Sequence, residues 1–303
     1  MSTRITNAMV SSQVLSDIQD ISSKISKTQE KLASGKEITK PSDDPYATSR
    51  ALALSNSLGG IQQYQRNVSE ATSWTQVTDT ALSSINDAAQ RARELLVQAG
   101  NDTYSSTDRT AVANEIDQLI ESMKGDANAQ VAGRYVFSGT KTDTAPYKVG
   151  GPDGYQGDSG TIYSQIGPGV SVQLNTLGSA VLGSGVSGDG GLIGVLRGIS
   201  ADLRAGTATA GDALRTTDLR ALDASMDNLS QARAVVGATS NRLSSASSRL
   251  SDLEQSTRSL LSDTQDADMA QTMIDFSMQQ SVYQSALHAG ARIVQASLLD
   301  FLS

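Results

Sequence analysis

SALHAGARIVQASLLDFLS, residues 285–303, carries Leu287, Ala291, Val294, Leu298 and Phe301 at steps of 4, 3, 4 and 3. That spacing lays a narrow apolar seam along a helix that winds around a partner helix. Alone, such a helix would leave its seam in water, so it requires a partner. A matching seam occurs at the other end of the chain, where Val14, Ile18, Ile21, Ile25, Thr28 and Leu32 fall at steps of 4, 3, 4, 3 and 4. Gly35 follows Ser34 and is placed to stop that helix. The first dozen residues are polar and are expected to be loose in the free protein.

Working inward, Lys36 to Pro45 reads as a connector, with an N-cap in Ser42-Asp43-Asp44 and Pro45 at the first helical position. A helix of 55 residues is predicted from Pro45 to Ala99. Gly59-Gly60 is its expected irregularity, and Ala81, Ile85, Ala88, Ala92, Leu95 and Ala99 form its most regular seam. Ser106-Thr107-Asp108 offers caps for the next helix, with Val112, Ile116, Leu119 and Met123 on one face. Arg134 to Gly139 reads as a strand. Beyond it, 17 of the 26 glycines and three of the five prolines lie between 140 and 211. Short strands are expected at Thr161–Tyr163 and Val170–Leu174, making 141–188 a small β-rich insertion rather than a glycine linker. Leu192 to Leu203 returns to helix. A long helical block from Asp212 to Ser262 follows, with a seam from Leu222 to Leu260, then an acidic connector and a terminal helix from Met269.

The fold class expected is mainly α: an elongated antiparallel helical bundle or coiled coil formed by N- and C-terminal arms. Three domains are expected, 1–40 with 265–303, 41–140 with 189–264, and 141–188. The plan is close to a palindrome, which brings both termini to one end of a rod and puts the β insertion at the fold-back point.

Bulk properties narrow the function. The 303 residues are 4% aromatic, which suits long thin helical packing better than a large globular core. A net charge of −8 with no basic run argues against nucleic acid or an anionic membrane as partner. The chain has no cysteine and one histidine, so thiolate sites, zinc sites and the usual nucleophilic triads cannot be assembled. No apolar run approaches the ~20 residues of a membrane span. The N-terminal stretch has no apolar h-region and does not read as a cleavable signal peptide. His288 reads as a structural residue. The pairs Asp43-Asp44 and Asp266/Asp268 suit helix N-termini. Asp153 and Asp158 in Gly151–Gly160 suit turns better than calcium, because the alternating ligands of an EF-hand are missing. Met269, Met273, Met278 and Phe276 read equally as core or as a soft binding surface.

Several stretches carry a resemblance. RITNAM (4–9), KLASGKEITKPSDDP (31–45), QRARELLVQAGND (90–102), VGATSNRL (236–243) and the acidic stretch of 263–270 resemble the bacterial flagellin superfamily, in order and over most of both helical arms. GRYVFSGTKTDTAPY (133–147) and the ending ASLLDFLS are similar to the hook–filament junction family within it, that of hook-associated protein 3. Filament flagellins usually carry an Asn and a Pro-Gln pair in the last helix, and HAGARIVQASLLDFL has neither.

The resemblance implies a non-enzymatic adaptor of the flagellum, without cofactor or metal, exported unfolded through the type III channel without a cleaved signal. It implies a ring of identical subunits between the first hook-associated protein and flagellin, and a cytoplasmic chaperone before export. The terminal helices would form the inner shell, with Val14, Ile18, Ile21, Ile25, Leu32, Leu287, Ala291, Val294, Leu298 and Phe301 as assembly contacts. The long helices would form the next shell and 141–188 an outer domain. A filament-forming flagellin is the alternative. A surface-binding module on a helical stalk is a more distant one.

Overall fold

The computed structural model describes the backbone of residues 7–100, 104–185 and 189–302, and the side chains of these except 7, 8, 11 and 293–302. The chain divides into two compact units, 1–60 with 253–303, and 61–252. Among the described residues the fold is mainly helical, with two small antiparallel strand pairs.

Local signals set the element boundaries. Helix α1 spans Asn7–Ser34, and Gly35 ends it at φ 70° while its N–H donates to the Lys31 carbonyl. Helix α2 spans Pro45–Ala99 and runs unbroken through Gly59-Gly60. Asp44 caps it, Oδ1 accepting from the Ala47 N–H at 2.9 Å. Helix α3 spans Ser106–Ala127. Its cap is Ser105, one residue before the expected position, in a reciprocal capping box with Asp108.

The expected strand at Arg134–Gly139 shrinks to two short strands, β1 (Gln130–Val131) paired with β2 (Arg134–Tyr135). The chain turns there because Val136 and Phe137 are both drawn into the core, which period-two alternation would forbid. The insertion carries a hairpin of β3 (Tyr163–Gly167) and β4 (Val170–Gln173). A short turn of helix, α4 (Gly178–Val181), leads to α5 (Leu192–Ala205) and α6 (Ala208–Ala213). The expected long helix from Asp212 is interrupted by a π-turn at Leu214–Asp218 before α7 (Leu219–Gln265). Helix α8 spans Met269–Leu302.

Unit 61–252 has a true core. Leu82, Ile85, Ala89, Ala92 and Leu96 of α2 meet Ile116, Ile120 and Met123 of α3, Leu192, Leu196 and Ile199 of α5, and Leu222 and Leu229 of α7. The buried face of α2 is broader than its predicted seam because it serves several helices at once. Each large apolar side chain buried here contributes about 1.5–3 kcal/mol. Tyr147, Val181 and Leu182 of the insertion belong to this same core. The hairpin closes a second core, Ile166 and Val172 packing with Ile61, Val68, Leu243 and Leu250.

A charge network ties the insertion to α3 and α5. Lys124 is 0% exposed, and its Nζ lies 3.0 Å from Glu121 Oε1, 3.0 Å from Asp153 Oδ1 and 2.9 Å from the Gly151 carbonyl oxygen. Arg197 donates to Asp153 (2.7 Å), Asp117 (2.7 Å) and Glu121 (3.0 Å), and Arg204 pairs with Asp117. Three cations thus meet three carboxylates. The hydrogen bond from Arg197 holds the Asp153 carboxyl below its ordinary range. Asp158 is taken up by the turn, accepting from Thr140 N (2.6 Å) and Gly160 N (3.0 Å). Gly139 is required beside it, since a Cβ there would lie 2.1 Å from Asp158 Oδ1.

A second carboxyl pair has the opposite sign. Burial pushes Asp218, at the end of the π-turn, up to about 6, and the charge of Asp202 adds to the shift. A raised folded pKa gives stability that is complete below the unfolded value near 3.8 and is lost as pH rises through about 6. Asp218→Asn is therefore expected to stabilise the protein at pH 7.5, solvent screening keeping the gain to about 1 kcal/mol, and to change little at pH 4.5. Urea unfolding at the two pH values checks this, and an equal change at both would remove the pair as its cause.

Candidate assembly surface

Unit 1–60 with 253–303 is built differently. The two connectors pair through an antiparallel bridge of Lys36 with Asp266, the Glu37 N–H donating to the Gln265 carbonyl (2.8 Å) and the Ala267 N–H to the Gly35 carbonyl (3.0 Å). This brings α1 and α8 together as antiparallel neighbours. Asp268 caps α8, its Oδ1 accepting from Ala270 N at 2.9 Å and Gln271 N at 3.1 Å.

The α1 seam lies where the sequence put it. Val14, Ile18, Ile21, Ile25 and Leu32 are all half-buried and Thr28 is buried. On α8 the row that meets them is Thr272, Phe276, Gln279, Tyr283, Ala286 and Gly290, also at steps of 4, 3, 4, 3 and 4. Thr28 Oγ1 lies 2.9 Å from Gln279 Oε1, and a Cβ on Gly290 would stand 3.1 Å from Val14 Cγ1. The predicted C-terminal row is thus offset by one residue from the one that faces α1. Leu287 is 44% exposed and Ala291 is exposed, while the side chains of Val294, Leu298 and Phe301 lie outside the described residues. His288 is exposed.

The intrachain row mixes Phe276, Tyr283 and Ala286 with Thr272, Gln279 and Gly290, so apolar periodicity alone could not pick it out. Other apolar residues of α8 lie off it. At 100° per residue, Met273 and Leu287 stand to one side of the row, Met278 and Val282 to the other, and Ile274 on the face opposite it. Met269 is in line with the row, three residues before Thr272. All six are exposed. Met9, Leu15, Tyr46, Leu52, Leu253 and Leu260 are exposed as well. This unit holds twelve of the sixteen exposed large apolar side chains among the described residues, and Ala51, at 8% exposure, is its one buried hydrophobic residue among those described. Large exposed apolar areas mark protein, membrane or ligand interaction sites. Among the described residues no cluster of three His, Cys, Asp or Glu is placed to hold a metal, and no helix is long and apolar enough to cross a membrane.

Residues 5–142 match the bacterial flagellin N-terminal helical region, and residues 219–302 match the bacterial flagellin C-terminal helical region. The chain belongs to the bacterial flagellin family. Flagellar hook-associated protein 3 of Escherichia coli (strain K12) is 31% identical to it over 304 residues, covering 94% of this chain and 95% of that protein. The flagellin of Bacillus subtilis (strain 168) is 28% identical over 285 residues and 90% of each chain. Among solved structures, hook-associated protein 3 of Legionella pneumophila superposes with a TM-score of 0.61 at 17% identity, covering 70% of this chain and 98% of that one. Bacillus cereus FlgL gives 0.58 at 24%, over 69% and 99%. The fold is shared with both. In this flagellin-family chain the two matched regions include both helices of the terminal unit, and the segment between them holds the hairpin.

Proposed function

We propose that this chain is the structural adaptor of the bacterial flagellum that joins the hook-associated proteins to the flagellin filament, working outside the cell after export. The observation that carries the reading is the terminal unit, whose apolar faces its own fold leaves uncovered. The similarity to hook-associated protein 3 of Escherichia coli over nearly the whole of both chains supports the position at the junction. The mechanism is delayed completion: neighbouring subunits cover what the isolated chain cannot, so assembly is withheld until subunits meet at the growing end. Val14, Ile18, Ile21, Ile25, Leu32, Leu287, Ala291, Val294, Leu298 and Phe301 are the inner-shell contacts of this proposal, with 1–40 and 265–303 as its inner domain. A ring of identical subunits, the first hook-associated protein on one side, flagellin on the other and a chaperone before export complete it. No step requires an enzyme or a cofactor.

Deleting the gene tests this. Hooks should persist while flagellin is secreted without attaching; filaments of normal number on the deletion strain would refute the junction role. The mechanism has its own check in amide exchange on the isolated chain. Slow amides are expected in α3 and α5 and fast ones in 1–34 and 269–303. End helices as protected as α3 in a monomer would count against delayed completion. A filament-forming flagellin is the second reading, favoured by the similarity to the Bacillus subtilis protein. It predicts continued extension by the purified chain, where a junction subunit stops at a short assembly.

A further inference from the structure

The chain has seven methionines, and they divide sharply. Met123 is 0% exposed in the α2–α3–α5 core and Met226 is half-buried. Met273 and Met278 are 64% and 58% exposed, and Met269 and Met9 are exposed too. Three of the exposed ones stand on α8, Met269 in line with the row that meets α1 and Met273 and Met278 to either side of it. Their thioether sulfurs are open to small polar reagents in the unassembled chain. Apart from Met9 on α1, no other large aliphatic side chain on this surface can be made polar in this way by a two-electron oxidant, because hydrocarbon offers no lone pair to attack with.

We infer that Met269, Met273 and Met278 form an oxidation site by which peroxide-class oxidants block assembly of the free chain. The consequence for assembly rests on the function proposed above. A methionine sulfur attacks one oxygen of hydrogen peroxide. The O–O bond breaks as the S–O bond forms, the sulfur is oxidised by two electrons, and the displaced oxygen leaves as water after taking up the proton from the transferred oxygen. The product is a sulfoxide, whose strongly polar S–O group must lose its water if the face is to be covered by another subunit. Assembly shields the same sulfurs, so the reaction selects subunits that have not yet been incorporated.

The test treats the full-length purified chain with hydrogen peroxide and measures sulfoxide at each methionine by peptide mass spectrometry. Oxidation at Met269, Met273 and Met278 is expected to run at least about 10-fold faster than at Met123, which serves as the internal reference. The oxidised chain is expected to associate about 100-fold more weakly by sedimentation. The Met269→Leu/Met273→Leu/Met278→Leu variant keeps the apolar face and should associate equally before and after treatment. Equal rates at Met273 and Met123, undiminished association of the oxidised chain, or loss of association in the leucine variant after treatment would each overturn the proposal. An untreated chain that never associates would defeat the assembly reading and the block that rests on it, while the rate order among the methionines still decides the modification.

Discussion

Ile274→Glu combined with Val282→Glu is expected to abolish association while leaving the main thermal transition unchanged. Val282 stands beside the row that meets α1 and Ile274 on the face opposite it, and both are exposed in the free chain, so glutamate there costs the monomer almost nothing. Covered by a second subunit, each carboxylate must lose its water without a paired cation. A cost of several kcal/mol per charge weakens association by roughly a thousandfold or more. Sedimentation reads the association and circular dichroism the transition. A double variant that assembles like the parent would show that both positions stay in solvent, and would redirect attention to the exposed α1 residues Met9 and Leu15. A variant that fails to fold would mean that one of them is already covered within the chain.

Lys124→Ala is the second large effect, and it acts on the other unit. Removing the ammonium leaves Asp153 and the Gly151 carbonyl without the buried cation that both meet at 2.9–3.0 Å. Breaking a buried pair in this way costs about 3–5 kcal/mol. Lys124→Met keeps most of the volume and separates the lost charge from the lost packing. Both should lower the urea midpoint, alanine more than methionine. A loss below about 1 kcal/mol would mean that Arg197, which already donates to Asp153, is a sufficient partner for that carboxylate. The sign with pH is opposite to that of Asp218. Asp117, Glu121 and Asp153 are each held below their ordinary values, so the network's contribution is in place above about pH 4.5 and drains away as pH falls through the folded values.

The helices were legible because their punctuation is strong. Gly35, Asp44-Pro45 and Asp268 each mark a boundary by backbone chemistry that needs no tertiary partner. The Ser105 cap and the π-turn at Leu214–Asp218 were not legible in that way, since neighbouring serines compete for one cap and Leu219–Asp223 continues the same helical pattern. The α1 seam was found because it is apolar. Its partner row on α8 was missed because Thr272, Gln279 and Gly290 carry no hydrophobic signal, and the more apolar row one residue away took its place. Lys124 was overlooked for a similar reason. A lysine looks solvated, although its spacing from Ile120 and Ala127 placed it on the buried face of α3. Tyr147, far along a glycine-rich stretch, gives no periodic cue at all that it enters the main core.

The bridge between Lys36 and Asp266 has a mechanical consequence. Its two hydrogen bonds join residues 228 and 232 positions apart in sequence, just past the end of α1 and just before the start of α8. A pull along either helix loads both bonds side by side, in shear, instead of opening them one after the other. The two ends of the polypeptide are therefore yoked: tension or torque delivered to one is divided with the other before it reaches the long helices.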